Sequence, residues 1–383
     1  MPQLPGTFSM SPRRRLALSG LAVVLGVYIA VALWTQIVVN PRFVSDVDIY
    51  LRAGQQALQA QNAYQPFEIG KSFVYPPPAL LIFAPLSTWP GEAAKTVWAV
   101  VNVAAYMAAL YCLWRAIKPT RRRAGLGLWA ALLLFTPFLE SVTVGQVNGL
   151  VLLGLAVFAL GVVEPRWQWL GDVGLAAASL IKISPVILLA LPVTRRDWAR
   201  CARVGLAAAL FSAASLLFGL QPWRDFIEIL PLLFRGYPDK INQAIPPSVQ
   251  WLWPELNVDW LGTALTLAFL LTWIGVLLLK RSTRSPRVVL SLGVATLTIS
   301  SSLIWFHHLT FLAFPVVSGL TSQVKLTRAL TALGFGLVHV DRLVEGKLSL
   351  PPLASIAGYL LIYSAALVSV WRVEAATFNH YRS

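Results

Sequence analysis

Long apolar runs separated by short polar stretches extend along the whole of this chain. A helix needs about 20 consecutive apolar residues to cross a bilayer core, and stretches of that length recur from end to end. Long segments that alternate polar and apolar residues, as in a transmembrane β-barrel, are not found. The pattern predicts an all-α polytopic membrane protein with about 11 to 13 transmembrane helices.

The first apolar run, 16–39, follows three arginines and is too long for the core of a signal peptide, which indicates a retained membrane anchor. A polar segment, 40–75, comes next, and helical spacing at 49–58 predicts a helix in the membrane interface. Further apolar runs occur at 76–89, 93–114, 124–139, 150–163, 204–220, 259–279, 288–305, 309–340 and 351–371. The chain is accordingly divided into a basic tail (1–15), a membrane module (16–220), a polar loop (221–258) and a closing group of transmembrane helices (259–383).

Some of the apolar runs are irregular. The run 76–89 is short and bounded by prolines, so an incomplete crossing is one interpretation. Lys182 and Pro185 interrupt the run 170–193, which predicts a broken helical hairpin that lines a cavity, where non-helical backbone is tolerated at membrane depth. No repeat relates the two halves of the chain, so the inverted symmetry common in transporters is not supported.

The positions of the charged residues indicate which side of the membrane each loop occupies. Charged residues make up 12% of the chain, against about 25% in soluble domains, yet the net charge is +15. Eighteen of the 31 Lys and Arg residues form five short clusters: Arg13 to Arg15; Arg115, Lys118 and Arg121 to Arg123; Arg195, Arg196, Arg200 and Arg203; Lys280, Arg281, Arg284 and Arg287; and Lys325 with Arg328. Short basic loops beside membrane spans mark the cytoplasmic side. The excess charge is therefore a topology signal, and nucleic-acid binding is not implied.

The two cysteines, Cys112 and Cys201, lie in or beside apolar runs near the predicted cytoplasmic face. They do not support a disulfide framework, and no set of clustered ligands predicts a metal site. Neither a metal nor another cofactor is expected.

The predicted topology places most of the distinctive polar residues on the side opposite the basic clusters. They are Asp46, Asp48, Tyr64, Tyr75, Gln146, Asn148, Asn242, Gln243, His307 and His308. Lys182, at the break of its hairpin, can face the same way, and an ionisable residue inside a membrane is by default a functional candidate. An acid, a lysine, two imidazoles and several amides predict an active site on the extracytoplasmic side.

Structural interpretations stay open for each of these residues. Asp46 and Asp48 are also typical of a helix start, as an N-cap and as an acid near the positive end of the helix dipole. Lys182 can snorkel to the interface, and the two histidines can belong to an aromatic belt. The prolines after Tyr75 favour a helix start, and the turn containing Gln146 and Asn148 can simply join two helices.

Seven motifs in order along the chain resemble glycosyltransferase family 87, the polyprenol-phosphate-mannose-dependent mannosyltransferases. They are Asp46 with Tyr50, Asn62-Ala63-Tyr64, Phe73-Val74-Tyr75-Pro76-Pro77, Gly145-Gln146-Val147-Asn148, Lys182-Ile183-Ser184-Pro185, Asn242-Gln243, and Trp305-Phe306-His307-His308. The chain departs from the family pattern at Ala244, where serine is usual, and at Phe306, where a polar residue or Asp is usual.

The resemblance implies a GT-C fold and an inverting, metal-independent hexosyltransferase in the plasma membrane that uses a polyprenyl-phosphate sugar, usually mannose, and a lipid or glycan acceptor. It implies Asp46 as the general base. Asp46 and Asp48 point about 200° apart on a helix, so only one readily faces the pocket, and Asp46 is the one that shares the face of Tyr50 and occupies the family's acid position. Lys182 and His307 or His308 would stabilise the leaving phosphate. The amides of Gln146, Asn148, Asn242 and Gln243 would bind sugar or phosphate, and Tyr64 and Tyr75 would line the pocket.

Two other classes of protein remain as alternatives. A transporter or lipid flippase of about 12 spans would also be basic and apolar, but it would favour paired broken helices in two related halves. A membrane scaffold without catalytic activity would have no reason to gather an acid, a lysine and imidazoles on one face.

Overall fold

The structure is a computed structural model, and it describes residues 46–68, 70–117, 128–129, 131–233, 242–279, 285–301, 303–344 and 352–380. Within these ranges the chain forms fifteen α-helices and no β-strand, which confirms the predicted all-α fold. The predicted basic tail and first anchor lie outside the described residues.

Helices are numbered here in chain order. They are α1 (Asp46–Leu58), α2 (Leu80–Leu86), α3 (Gly91–Ile117), α4 (Thr136–Thr143), α5 (Asn148–Val163), α6 (Gln168–Ile181), α7 (Ala190–Thr194), α8 (Trp198–Ser215), α9 (Gln221–Leu233), α10 (Ile245–Leu252), α11 (Asp259–Leu279), α12 (Pro286–Ile299), α13 (Ala313–Leu320), α14 (Lys325–Val344) and α15 (Leu353–His380).

Four helical stretches of the described chain are long and apolar enough to cross a membrane. They are Gly91–Ile117, Trp198–Phe218, Trp260–Leu279 and Leu353–Trp371. Shorter apolar helices of 10 to 17 residues account for other predicted runs, among them α5 and α12. The chain is thus a polytopic membrane protein, and the total of 11 to 13 spans stays a prediction.

One helix is shorter in the structure than predicted, and one predicted loop contains helices. The run 288–305 is helical only to Ile299, because backbone groups of the following segment bond elsewhere: Ile304 donates to the Asn242 side chain and accepts from the Gln243 N–H. The loop 221–258 is not wholly irregular, since it contains α9 and α10.

The predicted hairpin broken at Lys182 is confirmed. Helix α6 ends at that residue, whose backbone is extended, with φ −144° and ψ 123°. A 3₁₀ segment, Ser184–Leu189, follows with Pro185 in its first turn; it packs against α6 and leads into α7. Proline is accommodated there because the first turn of a helix needs no N–H donor.

Helices α5 and α6 form a tight antiparallel pair that carries polar residues to one end. A Cβ on Gly154 would overlap the backbone oxygen of Gly174, so the two backbones touch where side chains would normally separate them. Asn148 begins α5 and Lys182 follows α6, so both lie at the same end of the pair. We call this the site end.

Described members of the basic clusters meet at the opposite end of the helices, which we call the basic end. Arg115, near the end of α3, lies 3.1 Å from the carboxylate of Glu164, just past α5. Arg200 donates to the carbonyl of Gly161, also at the end of α5, at 3.1 Å. Helix α5 has 16 residues, so it separates the two ends by about 24 Å at 1.5 Å per residue.

Candidate active site

The candidate site lies where the start of α1 packs against the turn that follows α4. The N–H of Asp46 donates to the carbonyl of Val144 at 2.6 Å. Gly145 has a φ of +77°, and a Cβ there would lie 2.8 Å from Cβ of Val47, so only glycine lets α1 approach this closely. The indole of Trp98 donates to the carbonyl of Gly145 at 2.7 Å and fixes the turn from the other side.

A chain of hydrogen bonds holds the carboxylate of Asp46. The Gln146 amide donates through Nε2 to Asp46 Oδ2, and Gln146 Oε1 accepts from the Tyr75 hydroxyl at 2.8 Å. The hydroxyl groups of Tyr50 and Tyr75 lie 2.8 Å apart. Because Tyr75 donates to the amide oxygen, the amide N–H groups are turned toward Asp46. Gln146 therefore contacts the acid directly in this structure, and its predicted role in binding sugar or phosphate stays a prediction.

Two tyrosines form the wall behind this chain of hydrogen bonds. Tyr64 is 1% exposed, and its hydroxyl donates to the carbonyl of Tyr75 at 2.8 Å. Its ring packs against Phe73 at 5.4 Å and Phe226 at 5.9 Å between centroids. The structure thus places Tyr64 behind Tyr75, and Tyr75 nearer to the acid.

Asp48 lies on a different face of α1 from Asp46. Its carboxylate is 2.9 Å from the ammonium group of Lys95, in a partly exposed ion pair. This separation is what a two-residue offset on a helix produces. The geometry is compatible with ranking Asp46 above Asp48 as the base.

Asp46 is a largely buried acid with cations nearby. Burial raises the pKa of the Asp46 carboxyl above its ordinary value, because desolvation penalises the charged form. The charge of His307, the Gln146 hydrogen bond and the charge of Lys182 lower the pKa in part, and the charge of Glu140 raises it. Helix α1 is not among the apolar helices long enough to cross a membrane.

Lys182 reaches the same group of residues from the break after α6. Its ammonium nitrogen is buried and has no hydrogen-bond partner in the part of the chain that the structure describes. It lies 5.4 Å from the centroid of the Phe311 ring, within cation–π range. An ammonium group held this way retains three donors for a ligand.

His307 is fixed through its backbone and one ring nitrogen. Its carbonyl accepts from the Asn148 amide at 2.9 Å and from the Thr310 hydroxyl at 2.7 Å. Its Nδ1 lies 3.6 Å from Oε1 of Glu140, while Nε2 is buried and has no hydrogen-bond partner among the described residues. His308 packs edge-on against His307 at 4.7 Å between centroids.

Other predicted site residues hold the segment before the histidines. The N–H of Trp305 donates to Nδ1 of His308 at 3.3 Å. The Asn242 side-chain oxygen accepts from the N–H groups of Ala244 at 3.0 Å and Ile304 at 2.9 Å. Gln243 is buried, and its Oε1 has no hydrogen-bond partner among the described residues. Asn242 therefore joins two segments, and the Gln243 side chain is the better placed of the pair to bind a ligand.

Sequence reasoning missed two members of the site. Glu140 is an isolated acid near the end of an apolar stretch, and the rule that singled out Lys182 would also have found it. Phe311 is one of 18 phenylalanines, and nothing in the sequence distinguishes it. In the described part of the chain, no group of three or more His, Cys, Asp or Glu residues is arranged to hold a metal ion.

Comparison with known proteins gives a family match and several curated relatives. The family model described as glycosyltransferase family 87 matches residues 73–305, which is more than half of the chain. The chain is 30% identical over 209 residues to the polyprenol-phosphate-mannose-dependent alpha-(1-2)-phosphatidylinositol pentamannoside mannosyltransferase of Mycolicibacterium smegmatis, covering 51% of this chain and 49% of that protein.

A second kind of relative is an alpha-(1->3)-arabinofuranosyltransferase of Mycobacterium tuberculosis, 26% identical over 178 residues, which are 45% of this chain and 40% of the relative. The chain thus spans about half the length, or less, of these curated relatives. The family match includes the turn at Gln146, the break at Lys182 and the Asn242-Gln243 pair, and it shows that the chain belongs to glycosyltransferase family 87.

Proposed function

We propose that this chain is a membrane glycosyltransferase that moves a sugar, with mannose as the first candidate, from a polyprenyl phosphate to a lipid or glycan acceptor. The observation that carries the proposal is the arrangement around Asp46, a buried carboxylate influenced by the charges of Lys182 and His307. A base beside cations suits a reaction in which a proton leaves a hydroxyl while negative charge develops on a phosphate.

The proposed reaction is a single displacement. The acceptor hydroxyl oxygen attacks the anomeric carbon, and its proton passes to the carboxylate of Asp46. The bond between that carbon and the phosphate oxygen breaks, and the electron pair leaves with the polyprenyl phosphate. Attack and departure occur on opposite faces of the sugar, so the configuration at the anomeric carbon is inverted.

The leaving phosphate is assigned to Lys182 and His307. Lys182 Nζ and His307 Nε2 are buried and have no hydrogen-bond partner in the described residues, so both can donate to phosphate oxygens. Charge-assisted hydrogen bonds of this kind are among the strong ones in proteins. The lipid part of the donor is supported by the name of the Mycolicibacterium smegmatis relative, which is polyprenol-phosphate-mannose-dependent.

The proposed active site faces outward from the plasma membrane. Described arginines, among them Arg115 and Arg200, lie at the end of the helices opposite Asn148 and Lys182. Basic residues beside membrane spans mark the cytoplasmic side. An impermeant thiol reagent, applied to cells in which Cys112 and Cys201 are replaced, should label Gln55→Cys and spare Arg196→Cys. The reverse pattern would contradict this orientation.

The function is tested by transfer itself. The purified protein in lipid nanodiscs is given radiolabelled polyprenyl-phosphate mannose, or its arabinofuranosyl counterpart, with a panel of glycolipid acceptors that includes phosphatidylinositol mannosides. We expect label to move from one donor to an acceptor, with Asp46→Asn at background. If the parent protein neither binds nor consumes any lipid-phosphate sugar, the proposed function is wrong.

A further inference from the structure

We infer that Glu140 is a positioning residue of the transfer reaction, which holds His307 so that Nε2 faces the donor phosphate. The inference rests on the proposed function, since it assigns a task to a residue of the same site. Glu140 belongs to α4, which packs against the 3₁₀ segment Phe306–Leu312 that carries His307. Two separate parts of the chain therefore meet at this pair.

The backbone of His307 is already fixed before Glu140 acts. Asn148 and Thr310 both donate to the His307 carbonyl, at 2.9 Å and 2.7 Å. The remaining freedom of the residue is rotation of its side chain, which decides where the two ring nitrogens point. Glu140 supplies a contact for one of them, with Oε1 3.6 Å from Nδ1. That separation exceeds a hydrogen bond, and such contacts often tighten when a substrate binds.

The contact gives the two ring nitrogens different tasks. A histidine nitrogen that faces a carboxylate carries a proton, and this determines what the other nitrogen presents. With Nδ1 turned to Glu140, the nitrogen left for a ligand is Nε2, which is buried and has no hydrogen-bond partner among the described residues. To donate to a phosphate, Nε2 must also carry a proton, so the ring is then an imidazolium whose charge Glu140 balances.

A second acid is useful because Asp46 must stay free to accept a proton. His307 and Asp46 influence each other electrostatically, so an unbalanced imidazolium would pair with the catalytic carboxylate. Glu140 gives the imidazolium a different partner. The pair thus separates the group that takes the acceptor proton from the group that stabilises the phosphate.

The chain offers a matched control for Glu140. The side chain of Glu164 is 12% exposed, against 14% for Glu140, and it also pairs with a cationic residue, Arg115 at 3.1 Å. It lies at the basic end, far from the site. Glu140→Gln and Glu164→Gln therefore make the same chemical change at similar burial, and only the first is expected to affect transfer.

The test is a double-mutant cycle on kcat/KM for polyprenyl-phosphate mannose. His307→Gln should lower it by about 10², and Glu140→Gln by roughly tenfold. Because Glu140 acts through His307, the double variant should match His307→Gln alone. Glu140→Asp should recover part of the loss, and Glu164→Gln should match the parent, which separates positioning from general damage to the fold.

Several outcomes would overturn the inference. They are parent-like activity in Glu140→Gln, additive losses in the double variant, or an equal loss in Glu164→Gln. Binding of polyprenyl phosphate gives a readout that does not depend on turnover, and Glu140→Gln should weaken it while Glu164→Gln should not. If the parent neither transfers sugar nor binds the lipid phosphate, the proposed function fails; if it does both and Glu140→Gln is unaffected, only the role of Glu140 fails.

Discussion

The two ends of this helical bundle differ in whether a buried charged side chain has an ionic partner close by. At the basic end, Asp172 is 1% exposed and lies 2.6 Å from Nε of Arg203 and 3.3 Å from Nε of Arg200. At the site end, the buried ammonium of Lys182 has no hydrogen-bond partner in the described residues and faces the ring of Phe311. A buried charge is costly unless it is paired, so the pairing at the basic end favours stability, and the ammonium without such a partner among the described residues supports the proposal that an anion binds at the site end.

Two glutamates show the same contrast at similar burial. Glu164 pairs with Arg115, whose guanidinium stays charged at any working pH, so this ion pair is permanent. Glu140 instead faces His307, whose imidazole ring has two nitrogens, and only Nδ1 is directed at the carboxylate. A fixed pair fastens helices together, whereas a pair that includes an imidazole leaves the second ring nitrogen for chemistry.

The largest expected effect separates Asp46 from Asp48. A carboxylate base contributes typically 10² to 10⁴ in rate, and Asp46→Asn keeps the shape while removing the basicity. We expect this variant to lose transfer almost completely and to retain donor binding. Asp48→Asn, which weakens the partly exposed ion pair with Lys95, should stay within about tenfold of the parent. The test measures initial transfer rates and donor affinity for both variants. If Asp48→Asn loses transfer and Asp46→Asn does not, Asp48 is the base.

Lys182→Met should lower activity without harming the fold. Losing one group that stabilises a developing oxyanion costs about 10² to 10³ in rate. The same change removes a buried charge that has no hydrogen-bond partner in the described residues, so the melting temperature should stay level or rise. Activity and thermal unfolding are measured on the same nanodisc sample. A lower melting temperature with activity retained would make Lys182 a structural residue.

Asp172→Ala should behave in the opposite way. It leaves Arg200 and Arg203 without the acid between them, and breaking a buried ion pair costs about 3 to 5 kcal/mol. The melting temperature should fall, while the activity of the protein that remains folded should equal that of the parent. A loss of activity without loss of stability would remove the distinction between the two ends.

The smallest expected effect is a shift in pH dependence. Burial raises the pKa of Asp46, so kcat/KM should fall with decreasing pH at a value above the ordinary range of an aspartate, because protonation removes the base. The charge of Lys182 lowers this pKa in part. In Lys182→Met the acid limb of residual activity should therefore move to higher pH. An unchanged limb would mean that Asp46 is not the titrating base.

Some charged residues that the structure brings together could be selected from the sequence, because charge is rare inside a membrane. Lys182 stands in an apolar hairpin, so a rule about the cost of intramembrane charge was enough to select it, whereas His307 was selected by the predicted topology and by its motif. The same rule applied to Glu140 would have added it. Basic clusters likewise predicted that the candidate site and the clustered arginines lie on opposite sides, and the described members Arg115 and Arg200 lie at the basic end.

The roles of the amides could not be predicted, because they depend on partners far away in the chain. Gln146 bonds to an acid 100 residues earlier, Asn148 to a carbonyl 159 residues later, and Asn242 to an N–H 62 residues later. An amide can bind a sugar or hold the backbone, and its residue type does not distinguish the two tasks. Only the tertiary structure shows that these three amides contact Asp46, the backbone of His307 and the segment before it, and their predicted roles in binding sugar or phosphate stay predictions.

The claim that the site end is built for a lipid phosphate is tested most directly by equilibrium binding of polyprenyl phosphate. The measurement compares the parent protein, Lys182→Met and a control at the basic end, Arg166→Met, whose side chain is largely exposed and pairs with Glu164. We predict saturable binding by the parent, an affinity about 100-fold weaker in Lys182→Met, and no change in Arg166→Met. Equal affinity in the parent and Lys182→Met would contradict the account.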